Sequence, residues 1–505
     1  MGIIKTALKS TLVLIAASFA VSSCMVNKDY STPKDVAQKK RDIRAVWIPT
    51  IYRNDYKDKS RAEAKQILSK RIKALADAGC NMVFFQVRSQ GDSWYSNSKE
   101  PYSRFLSSSQ KCDWDPLAFV TDEAHKYGMD VHAWINPYRA WANTDVEMPY
   151  NHPAKIHPEW VVKYGKQLIF DPGNPDYRIY LLSVIKDIAI RYDIDGIHFD
   201  DYFYPYPQGG MVFDDEQSFI NYGVSSGYEY EDRAMWRRNN INLFFDQLNE
   251  MLLECKPWLR VSVSPFGIYR NKATDKNGSD TNGTQCYDDL YADVLHWVDN
   301  GWIDYVVPQI YWNFGNEKAD YGKLTSWWSK AIGKKSKFVV GQTIKKTMDE
   351  DQLYIKYMMS SDFASGNSWW VSEDIWNNYK GISDSLSINY QRSKALLPEI
   401  KGRLGKTKAP DAITSVMEDV NEDGHMLIWD DVRNPDDPEK PFMYAIYAIP
   451  QGYDIKNNGE YLISVSSVPH FLLPDMGRKK KYNFMITTIN RFWQESDPIS
   501  IKVVL

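Results

Sequence analysis

Two adjacent carboxylates, Asp200 and Asp201, close an apolar, β-branched run at 194–199 and are followed at once by aromatics and prolines, in the order I-D-G-I-H-F-D-D-Y-F-Y-P-Y-P. Acidic groups at the end of a buried strand are costly unless they are partnered or open onto a cleft. Paired carboxyl groups are also the machinery of glycoside hydrolysis. One donates a proton to the leaving oxygen, and the other acts as nucleophile or base beside an oxocarbenium-like transition state. Side chains alternate along a strand, so His198, Asp200 and Tyr202 share one face while Phe199 and Asp201 share the other. Phe199 suits a helix-facing side, which turns Asp200 into the mouth of the fold with His198 beneath it. Asp201 joins it there only if the strand ends between the two. Otherwise the partner comes from another strand end: Glu373 or Asp374, Asp92, or Asp171. Asp200 is thus the essential group, Asp201 the favoured partner and Glu373 the next. The competing structural role is a strand cap, or a pairing with an arginine such as Arg88.

Polar and aromatic side chains recur at the ends of the other apolar runs. Gln86 and Arg88 end the second; Asn136, Tyr138 and Arg139 follow the third; Gln309, Tyr311 and Trp312 end the sixth; Trp369 lies beside Trp370 in the eighth. Amide and guanidinium groups hydrogen-bond sugar hydroxyls, and Trp and Tyr offer faces for stacking. Each alone suits a core as well as a ligand. Their recurrence at the same end of successive runs is the stronger signal.

These runs need elements to bring their ends together. Eight strand candidates occur at 44–51, 82–88, 129–136, 194–199, 260–265, 304–311, 338–343 and 368–373. Amphipathic stretches such as 60–78, 116–127 and 176–192 lie between them. Eight β-then-α units predict a closed parallel (β/α)8 TIM barrel, whose catalytic face carries the loops after the strands. An open doubly wound sheet is the competitor, but no G-x-G-x-x-G or P-loop supports it. The longest excursions, 89–115, 137–175, 202–232 and 266–285, all follow strands and suit a polyhydroxylated ligand.

The chain has 505 residues, a formal charge of −4 and a pI near 6.1, which gives no reason to expect a nucleic-acid partner. Lys5 and Lys9 flank the start of an apolar run at 12–21 that is too short for a membrane span, and Val21-Ser22-Ser23-Cys24 resembles a lipobox. The expectation is a lipoprotein signal peptide at 1–23, acylation of Cys24, a tether over 24–42 and anchoring in the outer membrane. The other cysteines, Cys80, Cys112, Cys255 and Cys286, form no C-x-x-C, and the scattered histidines suggest no metal; no cofactor is expected. The barrel is assigned to 43–404. Short alternating runs with turn signals at 408–505 predict a small all-β sandwich resembling a fibronectin type III module. Two motifs are lookalikes: Gly223-Val-Ser-Ser-Gly227 lacks the strand of a nucleophile elbow, and Asp419-Val-Asn-Glu-Asp-Gly424 is half of a calcium loop between strand-like flanks.

Six motifs carry a family resemblance: R-A-V-W-I at Arg44, F-Q-V-R-S-Q-G-D-S-W-Y at Phe85, H-A-W-I-N-P-Y-R at His132, D-G-I-H-F-D-D-Y-F-Y-P at Asp195, V-S-P-F-G-I-Y-R-N at Val263 and D-Y-V-V-P-Q-I-Y-W at Asp304. Together, over 44–404, they resemble the glycosyl hydrolase-like 10 family, formerly domain of unknown function 187. The resemblance implies a (β/α)8 barrel, bacterial envelope lipoproteins, and hydrolysis of glycan strands, including peptidoglycan strands stripped of stem peptides. The central motif is also distantly similar to the D-G-x-D-x-D-x-E strand of family 18 chitinases. Asp195 and Asp200 match it, whereas His198 replaces an Asp and Tyr202 replaces the catalytic Glu. That departure leaves the acid unnamed and keeps two alternatives open: a catalytically silent glycan-binding barrel, and a glycosidase for dietary or host polysaccharides.

Overall fold

The structure is a computed structural model describing residues 35–400, 402–421, 424–453, 459–474 and 480–505. Cys24, the signal segment and the first part of the tether lie outside the described residues. The last part of that tether is packed onto the barrel: Val36 is buried, and the Lys39 ammonium donates to Ser361 O at 2.5 Å.

Eight parallel strands make the barrel: β1 (Ile43–Ile48), β2 (Met82–Arg88), β3 (Asp130–Ile135), β4 (Gly196–Phe199), β5 (Arg260–Val263), β6 (Tyr305–Val306), β7 (Lys337–Phe338 with Val340–Thr343) and β8 (Gly366–Trp370). β7 is interrupted at Val339. Its first piece pairs with β6 and its second with β8, and β8 pairs with β1, so the sheet closes. β5 and β6 are shorter than the apolar runs at 260–265 and 304–311, because Pro265 and Pro308 cannot donate to a ladder.

The helices that cover the barrel start where local chemistry dictates. α1 (Arg61–Asp77) opens on a capping box: the Ser60 side chain accepts from Glu63 N, and Glu63 accepts in return from Ser60 N. Gly79, at φ +90°, ends its final turn where an added Cβ would sit 2.6 Å from Gln391. α2 (Pro116–His125) and α3 (Pro175–Arg191) each begin with a proline, after Asp115 and Asn174, whose side chains accept from backbone N–H groups. α4 (Arg233–Cys255) packs Phe244 and Phe245 on Phe199, with ring centroids 5.4 and 5.6 Å away. That contact assigns β4's odd-numbered face to the helices and its even-numbered face to the barrel axis. The loop after β3 folds into an antiparallel sheet of Arg139–Trp141, Gln167–Phe170 and Val161–Tyr164, which walls one side of the mouth.

The C-terminal region is a two-sheet antiparallel sandwich. Val416–Asn421, Gly424–Trp429 and His470–Leu472 form one sheet, and Leu462–Ser466, Met443–Pro450, Lys481–Ile489 and Ile499–Val504 form the other. It closes the N-terminal end of the barrel: Phe442, Met443, Ala445, Tyr447 and Trp493 share one apolar cluster with Ile43, Ala45, Met82 and Phe84. Charge threads this seam. The Arg491 guanidinium donates to Asp195 Oδ1 at 3.0 Å and also pairs with Asp193. The other Asp195 oxygen lies 2.7 Å from His125 Nε2. Arg260 donates to Asp130 at 2.5 Å, and the Trp493 indole reaches the same oxygen at 3.3 Å. Asp430, just past the strand that follows the calcium-loop lookalike, accepts from Thr414 N and Ser415 N, both at 3.0 Å. Residues 223–227 form helical turns rather than a strand–turn–helix elbow.

Arg491 is 3 % exposed, so removing it leaves Asp195 in the seam without one of its two cationic neighbours. Arg491→Ala is expected to cost about 3–5 kcal/mol and to lower barrel and sandwich together in a single denaturation transition. A loss below about 1 kcal/mol, as for an exposed pair, or two separated transitions, would show that the sandwich is only appended.

Candidate active site

Interior parity carries one set of side chains to the C-terminal mouth: Trp47 from β1, Gln86 from β2, Trp134 from β3 and Trp370 from β8. They line a cavity of about 380 Å³ together with Arg139, Gln167, Asp200, Asp201, Tyr202, Ser264, Gln309 and Tyr311. β4 ends at Phe199. Alternation therefore lapses after it, and the consecutive carboxylates Asp200 and Asp201 both face the cavity.

Hydrogen bonds lock the two acids from opposite sides. Gln86 Oε1 accepts from Thr50 N at 2.8 Å and Ile51 N at 3.0 Å, and its amide donates to Asn136 Oδ1 at 2.7 Å. The Asn136 amide then donates to Asp200 Oδ2. Asp201 accepts from the Tyr206 hydroxyl and from the Gln309 side chain, whose amide also donates to Ser264 O at 3.0 Å. Both acids are only 4 % exposed. Burial, and then the charge of Asp201, push the Asp200 carboxyl up to about 7, against the pull of Arg139. Burial also raises Asp201, and the Tyr206 and Gln309 donors oppose the rise. An acid that holds its proton near neutrality beside a second carboxylate is the arrangement that proton donation to a glycosidic oxygen requires.

Several residues expected at the cleft occupy other places. Arg88 has the parity of Gln86, but a β-bulge between them turns it outward. There it is fully buried, holding Glu100 through two nitrogens and donating to Asn136 O at 2.8 Å. Asp92 is consumed by its own turn, accepting from Ser89 N and Gln90 N at 3.0 Å. Tyr138 packs in the core against Tyr177 and Phe244. His198 lies one layer below the cavity, accepting from the Trp47 indole at 3.0 Å and stacked 3.8 Å from Phe84; burial lowers its pKa far enough to keep it neutral. Asn136 acts behind the surface, through Asp200. Trp312 packs edge-on against Phe266, and Trp369 faces the helices while Trp370 takes the mouth.

The reserve carboxylates are also elsewhere. Glu373 is paired with Arg53 in a separate recess with Pro49, Tyr56 and Trp376. Asp374 lies 3.8 Å from the Lys345 ammonium. Asp171 accepts from Ser218 and from Gly173 N. Conversely, Trp47, Tyr52, Trp134, Gln167, Ser264 and Tyr206 belong to the site without being among the residues the sequence singles out, and Trp370, named there beside Trp369, is the one of that pair at the mouth. For Trp134 the signal was available, since it shares the parity of Asn136. Gln167 and Tyr206 come from irregular excursions whose course no local pattern reveals.

The glycosyl hydrolase-like 10 family model matches residues 42–358. Glycosyl hydrolase YngK of Bacillus subtilis (strain 168) is 34% identical over 483 residues, which cover 91% of this chain and 93% of that protein. Glycosyl hydrolase DigH of Escherichia coli (strain K12) is 32% identical over 359 residues, covering 65% of this chain and 81% of that protein. Among solved structures, the PgaB (BpsB) glycoside hydrolase domain from Bordetella bronchiseptica superposes with a TM-score of 0.46 at 12% identity, over 69% of this chain and 99% of that one.

Two outcomes check the geometry. Asp200 has a folded pKa of about 7 against an ordinary 3.8, so its protonated form stabilises the fold fully below about pH 4, and this contribution is lost as pH rises toward 7. Asp200→Asn is expected to flatten the fall in stability between these limits, measured as denaturation midpoints at each pH; an unchanged slope contradicts the assignment. Glu373→Gln, which breaks only a half-exposed pair, is expected to change turnover less than about fivefold, and a loss of orders of magnitude would return Glu373 to the catalytic machinery.

Proposed function

The chain belongs to the glycosyl hydrolase-like 10 family, and from that premise we propose that it is a lipid-anchored glycoside hydrolase of the bacterial envelope that cleaves peptidoglycan glycan strands. The observation that carries hydrolysis is the pair of buried carboxylates in one cavity, with Asp200 pushed up to about 7 by burial and by its neighbour. Asp200 delivers its proton to the glycosidic oxygen. Asp201, whose charge is stabilised by Tyr206 and Gln309, is the second carboxylate, acting on the sugar's anomeric carbon or on a water. Trp47, Trp134, Tyr311 and Trp370 supply faces for sugar rings, and Gln86, Gln167 and Arg139 supply hydrogen-bonding heads, so a polysaccharide fits better than a small apolar ligand. The envelope address rests on the lipobox at Cys24. The split of the sandwich strands, first, second and fifth against third, fourth, sixth and seventh, favours reading it as a fibronectin type III-like module.

The test is product analysis by mass spectrometry after incubation with peptide-free peptidoglycan strands, chitin and plant or host glycans. Release of new reducing ends from the peptide-free strands is expected, with Asp200→Asn and Asp201→Asn each folded and slowed by about 10²–10⁴-fold. Tight binding with no cleavage of any glycan would reassign the barrel as a binding module, and full turnover by Asp200→Asn would reject the proton donor.

A further inference from the structure

The cavity does not end at Tyr202. Beyond it lies an annex of about 200 Å³, walled by Arg139, Gln167, Ile169, Tyr202, Tyr206 and Gln208. Arg139, Gln167 and Tyr202 line both chambers and form the partition. The guanidinium of Arg139 lies over the Tyr202 ring, 4.4 Å from its centroid, hydrogen-bonds the Tyr202 side chain and donates a long hydrogen bond, 3.4 Å, to Ser89 O. Among the described residues no carboxylate lies within ion-pairing distance of it, although Asp200 and Asp201 feel its charge from across the partition. No acidic side chain lines the annex at all. The Gln167 and Gln208 amides have no protein partner among the described residues. A half-buried guanidinium without a counter-ion, flanked by two unpaired amides and an apolar Ile169 wall, is complementary to a carboxylate carried on a small aliphatic arm.

We propose that the annex is a carboxylate-recognising subsite in which Arg139 reads an acidic substituent on the sugar next to the scissile bond. This rests on the reading of the chain as a glycan-strand hydrolase, and it adds which sugars are accepted. On a peptide-free glycan strand the substituent is a lactyl carboxylate. Once that group is acylated onto an amine it becomes a neutral amide, loses its charge-assisted bonds to Arg139 and brings bulk into a 200 Å³ chamber. A uronic acid presents the same charge directly on the ring.

The experiment compares a peptide-free strand fragment, the same fragment with its carboxylates amidated, a chitin oligosaccharide of equal length and a uronate-containing oligosaccharide. Binding is measured by calorimetry in the full-length Asp200→Asn variant, and kcat/KM in the active protein. The free-carboxylate fragment is expected to bind about 10–100-fold tighter than the amidated one or the chitin oligosaccharide. R139Q is expected to abolish that ratio and R139K to retain most of it. The ratio is the readout, because R139Q also removes a positive charge near Asp200 and so alters turnover of every substrate. Tight binding of the uronate fragment as well identifies the charge as what is read; binding of the uronate alone transfers the subsite to ring acids. Equal binding of free and amidated fragments, or a preference that survives R139Q, overturns the inference. A preference that holds in binding while no fragment is hydrolysed leaves the subsite standing and defeats the hydrolase reading instead.

Discussion

The constraint on which the structure depends is the desolvation of two adjacent carboxylates. Asp200 and Asp201 lie at the end of a four-residue strand with almost no exposure, and neither has a cation within ion-pairing distance among the described residues. Such groups are tolerated only if every lone pair finds a donor or one of the acids keeps its proton. Asn136 and Tyr206 supply the donors, and neither is free to swing away. Asn136 is held by Gln86, itself fixed by the backbone leaving β1, and the chain beside Tyr206 is tied down by the Tyr164 hydroxyl, which donates to Tyr206 O at 3.1 Å. Four elements of the barrel thus converge on holding two side chains in place.

The same strand is held at its other end by the opposite electrostatics. Asp195, one residue before β4, is met by His125 and by Arg491 from the sandwich. At the bottom of the barrel His125 and Arg491 hold the Asp195 carboxyl below the usual range; at the top burial and the charge of Asp201 push the Asp200 carboxyl up to about 7. The sandwich therefore belongs to the barrel's architecture as much as the helices do. It closes the open end of the barrel with Phe442 and Trp493, and it supplies the cation that pairs with Asp195 just before β4.

Strand alternation is the part of this architecture legible in the sequence. It places Asp200 in the mouth, Phe199 on the helices and His198 in the layer beneath, and the eight apolar runs suffice to predict a closed barrel. It misleads wherever the backbone leaves regular pleating. The bulge after Gln86 reverses Arg88, which becomes a buried clamp on Glu100. In β8 two tryptophans are adjacent, and hydrophobicity cannot say which faces in; Trp370 does. Glu373 follows that strand, but it sits on the first turn of the helix Ser372–Trp376, where the Arg53 guanidinium meets it outside the cleft. The walls supplied by Gln167 and Tyr206 come from loops, whose paths depend on contacts distant in sequence.

The layered interior explains why the site can be both polar and stable. Below the acids, His198 is neutral, satisfied by Trp47, Ser262 and Ser264, and stacked on Phe84. It lies between the two acids and the floor around Asp130, Arg260 and Asp195. Were His198 charged, its field would lower the Asp200 pKa. A buried histidine surrounded by an indole N–H and two hydroxyls, with no carboxylate pairing with it among the described residues, cannot readily take up that charge. The pKa of Asp200 is therefore set within its own layer, by burial and the charge of Asp201 against the pull of Arg139 and the Asn136 donor.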